Sequence, residues 1–376
     1  MERSHRKKRF FPAAAALLAL CLLAACAPAQ QEGGKPVSLA VSGMKTEFFL
    51  EEEFSAGDLA VTVALDDGTV RTAEPGEYTV DSSAFNSDFL GEYPISVQLN
   101  GTGLSQSYNV TVRRNWRADG VLRILCIGNS FSDDMMEYVW QIADSLGVEE
   151  ISLGNLYIGG CSLDTHANNA AADAAAYEYR TNTAGRWTTA YNVRMSEAVA
   201  AQDWDFISFQ QQSGNSGLAG SYARLGELLD YVRSIAGTAQ FVWHMTWAYQ
   251  KNSPNPEFAN YGRSQDAMYE SIVAAVRSEV LAQPEISAVI PSGTAIQNAR
   301  TSFVGDTLTR DGYHLSLGLG RYIAGLTLVR ALTGLSVEKI AYAPSGVSER
   351  ERAVAAEAAE TAVAEPFAVT QSFDPE

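Results

Sequence analysis

Val121-Leu122-Arg123-Ile124-Leu125-Cys126-Ile127-Gly128-Asn129-Ser130-Phe131-Ser132-Asp133-Asp134 is the stretch that decides the fold. Its first seven residues are a short run, apolar and rich in branched side chains, and they predict a core strand. Ser132-Asp133-Asp134 opens an amphipathic helix, apolar at Met135, Tyr138, Val139, Ile142 and Leu146, with Gly147 as its C-cap. A serine between the two lies at the carboxyl end of a strand, where open α/β sheets hold their ligands. The adjoining helix N-terminus favours developing negative charge.

Outward from this junction the same alternation continues. Strands are expected at 121–127, 151–158, 205–210, 239–246 and 286–291. Helical stretches fall at 133–146, 193–201, 219–235, 264–282 and 317–333, and a final alanine-rich helix at 348–364. Strands alternating with helices predict a mostly parallel sheet covered on both faces. Ala167–Tyr179 lies in a long segment without a clear period, placed at the pocket rim. Hydrophobic residues make up 46% of the 376, enough for a large core and too many for wholesale disorder.

Upstream, residues 37–113 read as all-β. Short apolar runs at Val37–Val41, Leu59–Leu65, Tyr78–Val80, Tyr93–Leu99 and Tyr108–Val112 are separated by turn signals such as Asp66-Asp67-Gly68 and Asn100-Gly101. This spacing fits a small sandwich, joined to the α/β domain (121–376) by a connector at 114–120. Gly91-Glu92-Tyr93-Pro94-Ile95-Ser96-Val97 resembles the late strands of bacterial Ig-like domains. The module reads as a spacer or as an adhesion surface toward the cell surface or other proteins.

The first 25 residues read as a targeting signal: a basic cluster of Arg3, Arg6, Lys7, Lys8 and Arg9, then an apolar stretch from Phe10 to Leu23 too short to span a bilayer. Leu23-Ala24-Ala25-Cys26 resembles the bacterial lipobox, which implies lipidation of Cys26 and a membrane anchor facing outside the cytoplasm. Residues 26–36 follow as a flexible tether. Removing five of the 27 basic and one of the 44 acidic residues leaves a net charge of −21, which argues against nucleic acid and polyanionic substrates. Cys126 and Cys161 are then the remaining cysteines. They make no disulfide framework, though one bridge between them stays open.

Three histidines remain beyond residue 25: His166, His244 and His314. His314 follows Asp311 at i+3 in Asp311-Gly312-Tyr313-His314, a spacing that places carboxylate and imidazole on one face of a turn. Such a carboxylate fixes the imidazole tautomer, and the imidazole serves a nucleophile as base. No H-E-x-x-H, CxxC, EF-hand run, GxGxxG or P-loop is present, so neither a metal nor a nucleotide cofactor is implied.

Gly128-Asn129-Ser130-Phe131-Ser132 and Asp311-Gly312-Tyr313-His314 resemble the first and last blocks of the SGNH (GDSL-like) hydrolase superfamily, over residues 121–364. The resemblance implies a flavodoxin-like three-layer parallel sheet and ester hydrolysis through an acyl-enzyme. Ser130 would be the nucleophile, His314 the base and Asp311 its orienting partner. It also implies an oxyanion hole from the N–H of Ser130, a second-block glycine and a third-block asparagine. Ile158-Gly159-Gly160-Cys161-Ser162 matches the second block, with Gly160 as donor. The third block departs from the family: Phe209-Gln210-Gln211-Gln212-Ser213-Gly214-Asn215 offers Gln210 or Gln212, with Asn215 as the alternative. Trp243-His244-Met245-Thr246-Trp247-Ala248-Tyr249 ends the fourth strand on the same side as Ser130. Trp247 and Tyr249 are candidates for stacking on a sugar ring, and His166 for lining the pocket.

The expected function is a lipid-anchored serine esterase, and the resemblance to the superfamily implies removal of O-acetyl groups from a carbohydrate. The altered third block leaves a surface glycan-binding lipoprotein on a hydrolase fold as an alternative. A lipase-like esterase acting on longer acyl chains is a further one.

Overall fold

Alternation of inward apolar and outward polar residues builds the N-terminal strands. The computed structural model describes residues 34–375 apart from 50–51, 89–90, 114 and 237. The expected signal peptide and Cys26 lie outside the described residues, as does most of the tether. Pro36–Met44 (β1), Glu47–Phe49 (β2), Gly57–Leu65 (β3), Val70–Thr72 (β4), Tyr78–Asp81 (β5), Gly91–Leu99 (β6) and Ser105–Arg113 (β7) form two sheets, ordered β1-β3-β4 and β2-β7-β6-β5. In β6 the buried residues are Ile95, Val97 and Leu99, a strict period of two. The sandwich core is split into two small clusters, one around Val61, Val63 and Val97 and one around Phe48, Ile95 and Val110. The short strands β2 and β4 had no counterpart in the sequence reading. Within the connector, Trp116–Asp119 (α1) forms one helical turn, capped by the Asn115 side chain.

The remaining strands are Val121–Gly128 (β8), Glu150–Tyr157 (β9), Tyr177–Asn182 (β10), Thr188–Val193 (β11), Phe206–Phe209 (β12), Gln240–His244 (β13) and Ile286–Ile290 (β14). They form one seven-stranded sheet, ordered β11-β10-β9-β8-β12-β13-β14. The five strands expected from sequence are parallel to their neighbours among themselves. The antiparallel hairpin β10–β11 extends one edge. It was not foreseen, because its residues are mostly polar, half-exposed along much of β10 and exposed along β11, and carry no core pattern.

The helices are Ser130–Met136 (α2), Val139–Ser145 (α3), Leu163–Ala171 (α4), Met195–Val199 (α5), Leu225–Arg233 (α6), Gln265–Ala275 (α7), Ser292–Arg300 (α8), Leu319–Thr333 (α9) and Glu349–Ala364 (α10). The expected helix at 133–146 starts earlier, at Ser130 with Asn129 as N-cap, and breaks between Met136 and Val139. Helices α4 and α8 were missed. Helices α2, α3, α8, α9 and α10 pack together, and α4 packs with α5 and α6.

Right-handed crossovers explain this division. The chain moves from β8 outward to β9, then back across β8 to β12, so the two connections carry their helices to opposite faces. Neighbouring strands β8 and β12 therefore send their connections in opposite directions. The crevice at their carboxyl ends is a topological switch point, where open α/β sheets bind ligands. Ser130 follows one of these strands and Gln210 the other. One continuous core, from Leu122 to Ala362, supports the platform.

Candidate active site

Asn129 stops the strand and starts the helix. Its extended backbone and its side chain, which accepts the N–H of Phe131 at 3.0 Å, make it the N-cap of α2. Ser130 is thereby the first helical residue, and its own N–H has no intrahelical acceptor. The Asn129 amide also donates to the carbonyl of Cys161 at 3.0 Å, tying the Gly159-Gly160 turn to the Ser130 corner. Gly160 has φ 64°, a conformation open to glycine without penalty, and it is exposed.

His314 arrives on the loop between Thr309 and Leu315, which are bridged to one another. Asp311 Oδ1 accepts the backbone N–H groups of Tyr313 (3.2 Å) and His314 (2.8 Å), winding the loop into a tight turn. Gly312, at φ 92°, allows this, and a side chain there would strike Ser253 and Pro254. The turn aims His314 Nδ1–H at Asp311 Oδ2 (2.7 Å), and Ser130 Oγ–H donates to His314 Nε2 (2.8 Å). Burial alone would raise the Asp311 carboxyl. The bonds from the His314 side chain and from the two backbone N–H groups outweigh that and hold it below its ordinary value. A half-exposed hydroxyl, a half-exposed imidazole and an exposed, ionised carboxylate thus stand in line at the switch point.

The other expected site residues divide sharply. Gln210 is 1% exposed; its amide donates to Asn129 Oδ1 (2.8 Å) and its carbonyl accepts His244 Nδ1–H (3.0 Å). With its amide committed to the N-cap residue Asn129, it is a brace for that cap and not the expected oxyanion donor. Gln212 is half-exposed, with its amide committed to Glu257 (2.8 Å) and its carbonyl accepting the N–H of Asn215 (3.0 Å). Asn215 is half-exposed, and no described residue bonds its carboxamide.

Trp247, Tyr249 and His166 are corrections too: all three are fully buried. Trp247 stacks on Phe131 with ring centroids 4.3 Å apart and donates to the carbonyl of Tyr313 (2.7 Å). Tyr249 is bonded to Ser213. His166 bonds the Tyr177 hydroxyl. Burial pushes His166 down to about 4 and His244 down to about 3, so both imidazoles are neutral near neutrality. Core packing claims aromatic side chains at the ends of buried strands, and here it overrides a surface role. Beside His314 stand the buried ring of Phe131 at 5.9 Å and the half-exposed ring of Tyr313 at 4.2 Å. Sequence reasoning passed over Tyr313, although it sits inside the D-x-x-H turn.

Cys126 and Cys161 are both free and buried, with burial pushing each thiol up to about 12. Among the described residues no cluster of His, Cys, Asp and Glu could hold a metal ion, and no helix is long and apolar enough to cross a membrane.

Residues 123–362 match the family described as domain of unknown function DUF4886. The chain belongs to that family. Residues 41–112 match the bacterial Ig-like domain (group 3). A DUF4886 family protein from Bacteroides uniformis is 42% identical over 67% of this chain and 98% of its own, with a TM-score of 0.65. More distant structures include a proposed SGNH hydrolase from Slackia heliotrinireducens, at 21% identity over 56% of this chain and 99% of its own, TM-score 0.36. An acetyl xylan esterase from Geobacillus stearothermophilus is 13% identical over 57% of this chain and 97% of its own, TM-score 0.36. No curated protein matches the chain. In this DUF4886 member, an α/β domain built on a mostly parallel sheet follows an Ig-like sandwich.

Proposed function

We propose that this DUF4886 protein is a serine esterase, on the strength of one observation: the unbroken chain of hydrogen bonds Ser130–His314–Asp311. His314 takes the Ser130 proton as Oγ attacks an ester carbonyl, and the carboxylate of Asp311 steadies the imidazolium. The tetrahedral oxyanion forms beside the N–H groups of Ser130 and Gly160. The third donor comes from the turn after β12, where the Asn215 carboxamide has no described partner. His314 then protonates the departing alcohol, and water, activated by the same base, releases the acyl group.

The substrate we favour is an O-acetylated carbohydrate. Tyr313 beside His314 offers a ring face to a sugar, and the acidic chain disfavours polyanions. A lipid anchor at Cys26 would hold the enzyme outside the cytoplasm, with the Ig-like module between membrane and catalytic domain. Intact alignment of serine, histidine and carboxylate supports turnover over glycan binding alone.

The test is hydrolysis of p-nitrophenyl acetate and of acetylated xylan by a soluble form beginning at residue 27, beside Ser130→Ala. A fluorophosphonate probe with peptide mapping supplies the covalent readout. Turnover and labelling at Ser130, both absent from the variant, are expected. No labelling, together with rates equal to Ser130→Ala on both substrates, sinks the esterase reading. Faster turnover of long-chain than of acetyl esters would replace the acetylesterase with a lipase-like enzyme.

A further inference from the structure

Helix α2 carries a second functional-looking side chain one turn beyond the nucleophile. Asp134 is 0% exposed, although it bears a charge. A spacing of four residues puts it on the same helix face as Ser130. Its Oδ2 accepts the backbone N–H of Leu315 at 2.8 Å. Its Oδ1 accepts Arg310 Nη1 at 2.9 Å and Arg321 Nε at 2.8 Å. Arg310 Nη1 also donates to the Leu315 carbonyl, and Arg321 pairs with Glu137 at 2.9 Å. Two carboxylates and two guanidiniums thus form a charge-balanced network, the condition under which buried ions are tolerated.

The grip points matter more than the pairing. Leu315 is the residue after His314, and Arg310 is the residue before Asp311. Asp134 therefore clasps the base-bearing loop on both flanks, and it does so from the helix that carries the nucleophile. The two segments lie some 180 residues apart in sequence, so their relative placement depends on tertiary contacts of this kind. Other bonds hold the loop's middle: Trp247 Nε1–H to the Tyr313 carbonyl and the Gln250 N–H to the Gly312 carbonyl (2.8 Å).

We propose that Asp134, through Arg310 and the Leu315 N–H, is the positioning residue that sets the Ser130–His314 distance. This rests on the esterase reading above for its kinetic consequence, and on geometry alone for its structural one. The clasp touches no reacting atom. Loosening it leaves substrate binding intact and lets the imidazole drift from the hydroxyl. A misplacement of about 1 Å costs roughly 10²-fold in rate.

The test compares Asp134→Asn in the wild-type and His314→Ala backgrounds. In the first, kcat on p-nitrophenyl acetate is expected to fall roughly 10- to 100-fold with KM within about twofold. In the second, no further fall is expected, because the residue acts through His314. An equal fall in both backgrounds overturns the proposal. Arg310→Gln releases the same clasp from the loop side; it keeps the test open if Asp134→Asn does not fold, and it should show the same non-additivity at smaller size.

An activity-free readout separates this proposal from the esterase reading. The downfield proton resonance of His314 Nδ1–H, assigned by its absence in His314→Ala, should broaden or shift in Asp134→Asn and in Arg310→Gln. If the wild type proves inert to esters and that resonance still responds, the esterase reading fails and the clasp stands. An unchanged resonance in both variants overturns the clasp, whatever the activity.

Discussion

Two histidine-bearing segments reach the same edge of the sheet, and they end in opposite conditions. Residues 243–249 leave β13 and bury Trp243, His244, Trp247 and Tyr249. Residues 310–316 form a turn that leaves Tyr313 and His314 half-exposed. Each has a histidine directly after an aromatic residue, Trp243-His244 and Tyr313-His314. The difference lies in what each imidazole faces. His244 meets Gln210 and the core, and burial drives its basicity down to about 3. His314 faces a carboxylate on one nitrogen and a hydroxyl on the other. Histidine chemistry here is set by exposure and partners rather than by residue type.

The strongest way to break this comparison is to delete each imidazole. Ser130→Ala and His314→Ala should each lower kcat on p-nitrophenyl acetate by roughly 10⁵–10⁶-fold with the thermal midpoint preserved. His244→Phe should stay within about tenfold in kcat while losing on the order of 1–3 kcal/mol in chemical denaturation, because it strands the Gln210 carbonyl. If His244→Phe abolished turnover in a folded protein, the two segments would share one function.

A third segment arriving at the same edge sharpens the contrast among amides. Asn215→Ala is expected to cost roughly 10²–10³ in kcat, the usual loss for one oxyanion donor. A rate within threefold of wild type would move the third donor elsewhere, with Gln212→Ala the next variant to assay.

Smaller effects divide stability from specificity. Trp247→Ala should lose about 3–5 kcal/mol by urea denaturation, since it empties a packed core position against Phe131. Tyr313→Ala should leave stability within about 1 kcal/mol and raise KM for acetylated xylan, with p-nitrophenyl acetate little changed. Equal loss on both substrates would remove the ring from sugar recognition.

The mildest prediction concerns pH. His166 and His244 have folded values of about 4 and about 3, below an unfolded value near 6.5. Between these limits the unfolded chain binds more protons than the folded one, so stability is full above about pH 6.5 and falls as pH drops toward about 3. The Asp311 carboxylate adds a loss of the same sign at lower pH, as it is protonated through its depressed value. The thermal midpoint should therefore decline from pH 6.5 to 4.5, and less steeply in His244→Phe. Equal slopes in the two proteins would mean that His244 titrates in the folded state as it does unfolded.

Much of the architecture was legible because it is written in local periodicity. Apolar runs gave the five parallel strands, and inward–outward alternation gave the sandwich. The Gly128-Asn129-Ser130 junction and the Asp311-Gly312-Tyr313-His314 turn are local too, since both rest on backbone geometry within a few residues. The hairpin β10–β11 escaped because an edge ribbon needs no apolar face. Helix α4 lies where the pattern is thinned by alanine and asparagine. Asp134 reads in sequence only as part of the Ser132-Asp133-Asp134 helix start, and nothing there reveals that a loop some 180 residues away packs on it.

The sequence by itself determined which strand precedes the serine, which turn carries the imidazole, and that two unlike modules share the chain. Each is a matter of neighbours along the backbone. Tertiary structure alone decided which aromatics are core and which are surface, and that Gln210 is a brace while the carboxamide of Asn215 stays without a described partner. It also decided that Asp134 joins the two halves of the site. Burial and long-range hydrogen bonds depend on which segments pack against one another, and that packing has no period to read.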